Sequence, residues 1–277
     1  MTLKLTCKAQ ARTPVEIEGL TPDVIRTQSL SEIERFGIFV GNQQVPLAEL
    51  FGVAGDPASG RLELAGNLSV VHWIGAHMQA GEVHVQGPAG RHLGSQMRGG
   101  EIHVHGDAGD WVGGEMRGGC IRVHGAAGHL VGAAYRGSRR GMTGGTILID
   151  GNAGSEVGHT MRRGLIVVGG ATGDMLAFHM LAGSVLVFGD CGIRPGAGMR
   201  RGTLALLGTA APVLLPTFRY ACTYQPLVLP LLLRHVRDHG FAVDPSLLAA
   251  KFDLYHGDMI EQGRGEILVR CPSGDSC

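Results

Sequence analysis

Across residues 61–208 the chain repeats a short phrase of alternating apolar positions. The pairs Val83/Val85, Ile102/Val104, Ile121/Val123, Ile147/Ile149, Ile166/Val168, Val185/Val187 and Leu204/Leu206 each flank one residue. Each run, with one before them, closes on a glycine: Gly66, Gly87, Gly106, Gly125, Gly151, Gly170, Gly189 and Gly208. Successive intervals are 21, 19, 19, 26, 19, 19 and 19 residues. Period-two alternation in β-branched residues predicts strands with one buried face. Nineteen residues leave no room for a long helix beside a strand and three glycines, and self-similarity at a fixed short period predicts a solenoid. The expected fold is therefore all-β: a right-handed parallel β-helix with ~19-residue coils, strands of successive coils stacked ~4.8 Å apart. A left-handed hexapeptide helix needs multiples of six, and ankyrin or tetratricopeptide units exceed thirty residues.

Five coils also carry Gly-x-x-Gly-x-x-x-Gly followed by a Met-Arg-x-Gly-like phrase, as in Gly87-Gly90-Gly94 and Gly106-Gly109-Gly113, and one departs, with Gly170 and Gly173 followed by Ala177. Glycine suits coil corners, where positive φ or close backbone approach is needed. Further inward positions are Leu93, Val112, Val131, Val157 and Leu176, with Met97, Met116, Met142, Met161, Met180 and Met199. The methionine column reads as core filler, because a flexible thioether packs into a narrow coil.

The pattern divides the chain into an N-terminal α+β cap (1–60), the repeats (61–208) and an extension (209–277) packing on the solenoid. In the cap, Leu3/Leu5/Cys7 and Val15/Ile17 alternate as short strands. Ser29-Leu30-Ser31-Glu32 has capping-box spacing for a short helix through Phe36, and 46–51 forms another helical turn. The first coil is two residues longer than the standard, with the extra at 70–73; the fourth interval gains seven around Gly137-Ser138-Arg139-Arg140-Gly141. Insertions in repeat arrays form loops on one side, and this one reads as a contact or as a tolerated surface loop. The extension is expected to be mostly helical: a helix at 231–236, another from Asp244-Pro245-Ser246 to about Phe252, a last strand at 263–269 and a loose tail at 271–277.

Outward strand positions change along the stack. Early coils present Glu82, His84, Gln86, Glu101, His103, His105, Arg122 and His124, whereas late coils present Leu165, Val167, Leu186, Phe188, Ala205 and Leu207. The switch falls near Leu148/Asp150. An exposed apolar patch of that extent needs a cover, and the apolar C-terminal segment or a partner subunit would supply it. His84, His103, His105 and His124 share one face, but structural zinc usually adds cysteines or a helix-borne pair. That face reads as polar surface, and no metal site is assigned. A second column follows the methionines: Arg98, Arg117, Arg136, Arg162 and Arg200, interrupted by Thr143 and Leu181. Unit charges ~5 Å apart repel by about 1 kcal/mol in water, so these arginines splay into solvent or form a basic stripe for an acidic partner or a polyanionic coenzyme tail.

Composition narrows the function classes. The 277 residues carry 24 Lys+Arg against 24 Asp+Glu, which argues against a nucleic-acid role driven by bulk charge. No run of eighteen apolar residues predicts a membrane span, and the first residues, with Lys4 and Lys8, do not read as a signal peptide. Six cysteines without CxxC spacing suit a reducing cytoplasm. No GxxxxGK[ST], HExxH or strand-borne GxGxxG is present, so no catalytic residue is expected.

The reiterated Gly-x-x-Gly-x-x-x-Gly with Met-Arg-Gly-Gly resembles the GXGXG superfamily, found also as the C-terminal domain of the glutamate synthase large subunit. With the entry segment Ser29-Leu30-Ser31-Glu32-Ile33 and Gly41-Asn42, the chain is most similar to the family of formylmethanofuran dehydrogenase C subunits, and the likeness covers nearly its whole length. That resemblance implies a non-catalytic scaffold in a cytoplasmic hetero-oligomer. The bacterial version of the complex moves a formyl group from tetrahydromethanopterin to a methanofuran-type coenzyme and releases formate. The archaeal alternative is a molybdenum or tungsten dehydrogenase; a third reading is a stand-alone β-helix carbohydrate enzyme. In the family, metal-bearing amidohydrolase-like and formyltransferase subunits are separate chains, so zinc and both coenzymes belong to partners. The arginine stripe (Arg98, Arg117, Arg162, Arg200) is the one candidate ligand contact on this chain.

Overall fold

The alternating residues do form strands. In a computed structural model describing residues 2–8 and 13–271, the chain is mostly β, with few and short helices. The N-terminal part holds β1 (Leu3–Cys7), β2 (Val15–Glu16), α1 (Pro22–Ile25), α2 (Leu30–Glu34), β3 (Gly37–Val40), β4 (Gln43–Pro46), α3 (Leu47–Leu50) and β5 (Phe51–Ala54). The repeats follow as β6 (Arg61–Ala65), β7 (Val71–His72), β8 (Glu82–Gln86), β9 (Glu101–Val104), β10 (Cys120–Val123), β11 (Thr146–Ile149), β12 (Leu165–Val168), β13 (Ser184–Val187) and β14 (Arg201–Leu206). The C-terminal part adds β15 (Arg219–Tyr224), α4 (Val228–Asp238), β16 (Phe252–Gly257) and β17 (Arg264–Arg270).

One mixed sheet of 13 strands contains every repeat strand except β7. From β6 through β14 the pairing is parallel and in register with the apolar pattern: Val83 faces Ile102, Ile121 faces Ile147, and Val185 faces Leu204. The same units meet a second time through parallel bridges joining Leu68, Ala89, Ala108, Ala127, Ala153, Thr172 and Cys191 in order. Between these ladders lie the inward residues, with the six methionines, Val112, Val131 and Val157 all fully buried. Both ends of the stack are covered. β1 pairs parallel to β6 and antiparallel to β5, while β17 continues the parallel stack beyond β14. An open edge would expose a row of unpaired N–H and C=O groups.

Of the N-terminal helices, α2 and α3 sit where local signals put them, although α2 ends at Glu34 rather than Phe36, whereas α1 was not expected. Ser29 and Glu32 close a reciprocal capping box: Glu32 Oε2 accepts from Ser29 N at 2.7 Å and Ser29 Oγ from Glu32 N at 3.3 Å. The two extra residues of the first unit become β7, which pairs with β2 in a separate four-stranded sheet.

The C-terminal extension corrects the expectation of a mostly helical segment. Its framework is the three strands β15–β17, with one eleven-residue helix and short 3-10 turns. Asp244 does cap, its carboxylate accepting from Ser246 N at 2.9 Å. The turn it opens ends at Leu248, because Phe252 belongs to a strand that pairs with Arg270. Edge pairing outcompeted local helix signals here. The tail at 272–277 lies outside the described residues.

The apolar outward face of the late units is covered by this same chain. Leu148, Leu165, Val167, Leu186, Ala205 and Leu207 form a second core with Leu229, Leu233 and Val236 of α4, and with Phe241, Leu247 and Phe252.

Candidate functional site

Hydrogen bonding defines the post-methionine column without ambiguity. The backbone N–H groups of Arg98, Arg117, Thr143, Arg162, Leu181 and Arg200 each donate, at 2.7–2.8 Å, to the methionine carbonyl of the preceding unit. Arg98, Arg117, Arg162 and Arg200 are thus brought onto one face, all exposed. Arg136 is not in the column; it lies in the insertion, and Thr143 holds its expected place.

The column opens into a cleft at its late end. Arg162, Arg163, Arg200 and Arg201 surround a space of about 720 Å³ whose floor is Leu181, Ala182 and Gly183. Glu261, from the C-terminal part, accepts from Arg200 Nε at 2.8 Å and is the one carboxylate in the lining. Leu181 separates Arg162 from Arg200 by two units, ~10 Å of stacking. At that distance the repulsion is only about 0.4 kcal/mol in water. Four guanidiniums against one carboxylate leave a surplus of positive charge, and arginine forks can bind carboxylates in bidentate fashion.

The four histidines of the early outward face stack on one another. His84 and His103 stack with centroids 4.9 Å apart, and His105 and His124 stack at 5.3 Å. His103 and His124 turn a nitrogen to a carboxylate: His103 Nε2 lies 3.3 Å from Glu101, and His124 Nδ1 lies 2.9 Å from Asp150. Burial is the main cause that lowers the His84 and His105 pKa values. Among the described residues no group of three or more His, Cys, Asp or Glu is placed to hold a metal ion.

Two features escaped sequence reasoning. Arg122, expected on the outward polar face, is buried at 6% exposure. Its Nη2 donates to Asp150, its guanidinium lies 4.8 Å from the Phe241 ring centroid, and Nε and Nη1 have no partner among the described residues. The second is an aromatic stack. Trp73, His92 and Trp111 are nineteen residues apart and adopt left-handed backbone (φ 59–65°). That conformation is rare for residues with a side chain, but here it recurs at one position in every unit. It is held by cross-unit hydrogen bonds such as His92 N to Asp110 O at 2.9 Å. Trp73 and His92 stack at 4.2 Å, His92 and Trp111 at 5.4 Å. Tyr135 leans on all three rings, its hydroxyl 2.6 Å from Ser95 Oγ and 3.0 Å from His92 Nδ1. Burial pushes the Tyr135 phenol up to about 12 and the His92 imidazole down to about 4. The nineteen-residue spacing of Trp73, His92 and Trp111 was the available signal.

The model of the family described as the GXGXG motif matches residues 64–213. The chain is 32% identical, with a TM-score of 0.88, to a chain in the crystal structure of the formyltransferase/hydrolase complex (FhcABCD) from Methylorubrum extorquens in complex with methylofuran; 97% of this chain and 99% of that one are covered. It is 38% identical over 87 residues to the C subunit of the tungsten-containing formylmethanofuran dehydrogenase 2 of Methanothermobacter marburgensis, 30% of this chain and 32% of that protein. The C subunit of the molybdenum-containing formylmethanofuran dehydrogenase 1 of Methanosarcina barkeri is 37% identical over 83 residues, 28% of each chain. The aligned stretch thus spans about a third or less of these curated relatives' own length.

Proposed function

The chain belongs to the GXGXG family, and we propose that it is the non-catalytic scaffold subunit of a formyltransferase/hydrolase complex in one-carbon metabolism. In this reading companion subunits, amidohydrolase-like and formyltransferase, transfer a formyl group from tetrahydromethanopterin to a methanofuran-type coenzyme and release formate. They carry the zinc, and this chain holds them in register. The observation that carries the proposal is the end-to-end match to one chain of such a complex, 97% against 99% coverage. A second reading, the C subunit of a molybdenum or tungsten formylmethanofuran dehydrogenase, draws on the local identities of 37–39%. It covers too little of the chain to displace the first.

The two parallel ladders per unit support a right-handed parallel β-helix over 61–208, with 1–60 as cap and 209–277 as the extension. No helix among the described residues is long and apolar enough to cross a membrane. Cys120, Cys191 and Cys222 are free thiols, in keeping with the reducing cytoplasm of this reading. The stripe of Arg98, Arg117, Arg162 and Arg200, with its late cleft, is assigned to a partner surface or to the acidic tail of the coenzyme.

The test is purification from the native host followed by reconstitution with and without this chain. A scaffold retains companion subunits and supports their formyl transfer while showing no turnover alone. Activity of the isolated chain, or isolation without companions, refutes the proposal. An Arg98→Ala/Arg117→Ala/Arg162→Ala variant with unchanged assembly and unchanged coenzyme affinity refutes the stripe assignment.

A further inference from the structure

The interval from Gly125 to Gly151 exceeds the standard by seven residues, and hydrogen bonding locates the excess. Ala133 O accepts from Glu115 N (3.0 Å) as Gly114 O accepts from Gln96 N (2.8 Å) one unit earlier. Met142 N donates to Gly132 O (2.7 Å) as Met116 N donates to Gly113 O (3.0 Å). Between these two fixed points a standard unit has the single residue Glu115, whereas the long unit has residues 134–141. The strands on either side remain in register, Cys120 with Thr146 and Val123 with Ile149. The stack thus absorbs the loop without distortion.

The loop has a half-buried root and a charged tip. Tyr135 is its root, wedged against Trp73, His92 and Trp111, its hydroxyl bonded to Ser95 and its N–H donating to Glu115 Oε1 at 3.2 Å. Beyond it, Ser138 N donates to Tyr135 O at 2.9 Å and Ser138 Oγ to Arg140 O at 3.3 Å, closing a tight turn. Residues 136–140 are all exposed, and Arg136, Arg139 and Arg140 enter no ion pair among the described residues. A tolerated surface insertion has no need of an aromatic anchor reaching across two units. Nor does such an insertion gain from holding three like charges together in a turn, where ordering costs entropy and charge repels charge.

We propose that segment 136–140 is a docking knob that inserts its three arginines into a carboxylate-rich surface of a companion subunit. The inference rests on the scaffold reading above and adds the contact by which one companion is held. Arginine forks pair bidentately with Asp and Glu, and a five-residue tip suits a local acidic pocket on a folded protein.

Two variants of the full chain, co-expressed with its companions, test it. Arg136→Ala/Arg139→Ala/Arg140→Ala is expected to weaken companion binding ~100-fold, with a shallower salt dependence than wild type. Arg136→Lys/Arg139→Lys/Arg140→Lys keeps the charge and supplies amines in a chain whose other lysines are Lys4, Lys8 and Lys251. Carbodiimide coupling of that assembled complex is expected to join the new lysines to Asp or Glu of one companion. The loop lies outside the ladders, so both variants should melt as wild type does. The knob is overturned if the alanine variant binds within twofold of wild type, or if the lysines couple only to a second copy of this chain or to nothing. Wild-type chain that retains no companion overturns the scaffold reading, and the knob with it.

Discussion

Gly113→Ala tests whether the units are as tightly stacked as their hydrogen bonds imply. Gly113 has φ +62°, and a Cβ built on it would lie 2.4 Å from Ile147 Cδ1 and 3.4 Å from Ile121 Cδ1. Both isoleucines are fully buried, so neither has free space to yield into. Left-handed backbone costs an alanine about 1 kcal/mol, and overpacking a closed core adds roughly 2 kcal/mol. Gly137→Ala isolates the first contribution, because Gly137 has φ +87° with nothing within 4 Å of its added Cβ. At about 2 °C per kcal/mol for a chain of this size, Gly113→Ala should lower the melting midpoint by roughly 6 °C and Gly137→Ala by roughly 2 °C. Both are readable from far-ultraviolet circular dichroism. Ile147→Val deletes the clashing methyl at a cost of about 1 kcal/mol by itself. The double variant Gly113→Ala/Ile147→Val should therefore recover 1–2 kcal/mol relative to the sum, on the order expected for residues in contact. Equal losses from the two glycine variants, or strict additivity in the double variant, would refute the stacking argument.

The buried pair predicts an asymmetry: Asp150→Asn, which leaves Arg122 charged at 6% exposure, should cost about 3 kcal/mol, and Arg122→Met clearly less, measured by urea unfolding. His92 predicts acid sensitivity. Its imidazole is held down to about 4 by burial, so the contribution is complete above the ordinary value of 6.5 and is lost as pH falls from there to about 4. The full shift corresponds to roughly 3 kcal/mol, which solvent screening of a half-exposed ring reduces to about 1–2 kcal/mol; His92→Phe should flatten stability between those pH values. Phe241→Ala, which removes a ring packed on Phe188 and Arg122, should cost about 3 kcal/mol and increase binding of a hydrophobic dye by uncovering the late units.

Much of this protein was readable in one dimension, for local reasons. Alternating apolar residues announced strands because successive side chains leave a strand on opposite faces. The methionines announced buried positions because they recur once per unit, in step with the strands. Ser29 and Glu32 lie three apart, within reach of each other in one helical turn. The arginine stripe was legible by the same spacing, apart from Arg136, which the insertion displaced. The left-handed column of Trp73, His92 and Trp111 was equally periodic and went unread, because glycine alone was expected at positive φ.

What the chain encodes by itself is everything that depends on spacing: the nineteen-residue unit, its inward face, the greasy late units and the basic column. What only the tertiary structure decided involves partners far apart in sequence. The extension became strands because the exposed edge of β14 offered hydrogen bonds that its helix signals could not match. Arg122 went inside because Asp150, twenty-eight residues on, and Phe241 met it there. Tyr135 found its place against rings contributed by three other units. Local geometry is written in neighbouring residues, whereas burial of a polar group depends on which distant atoms arrive to satisfy it.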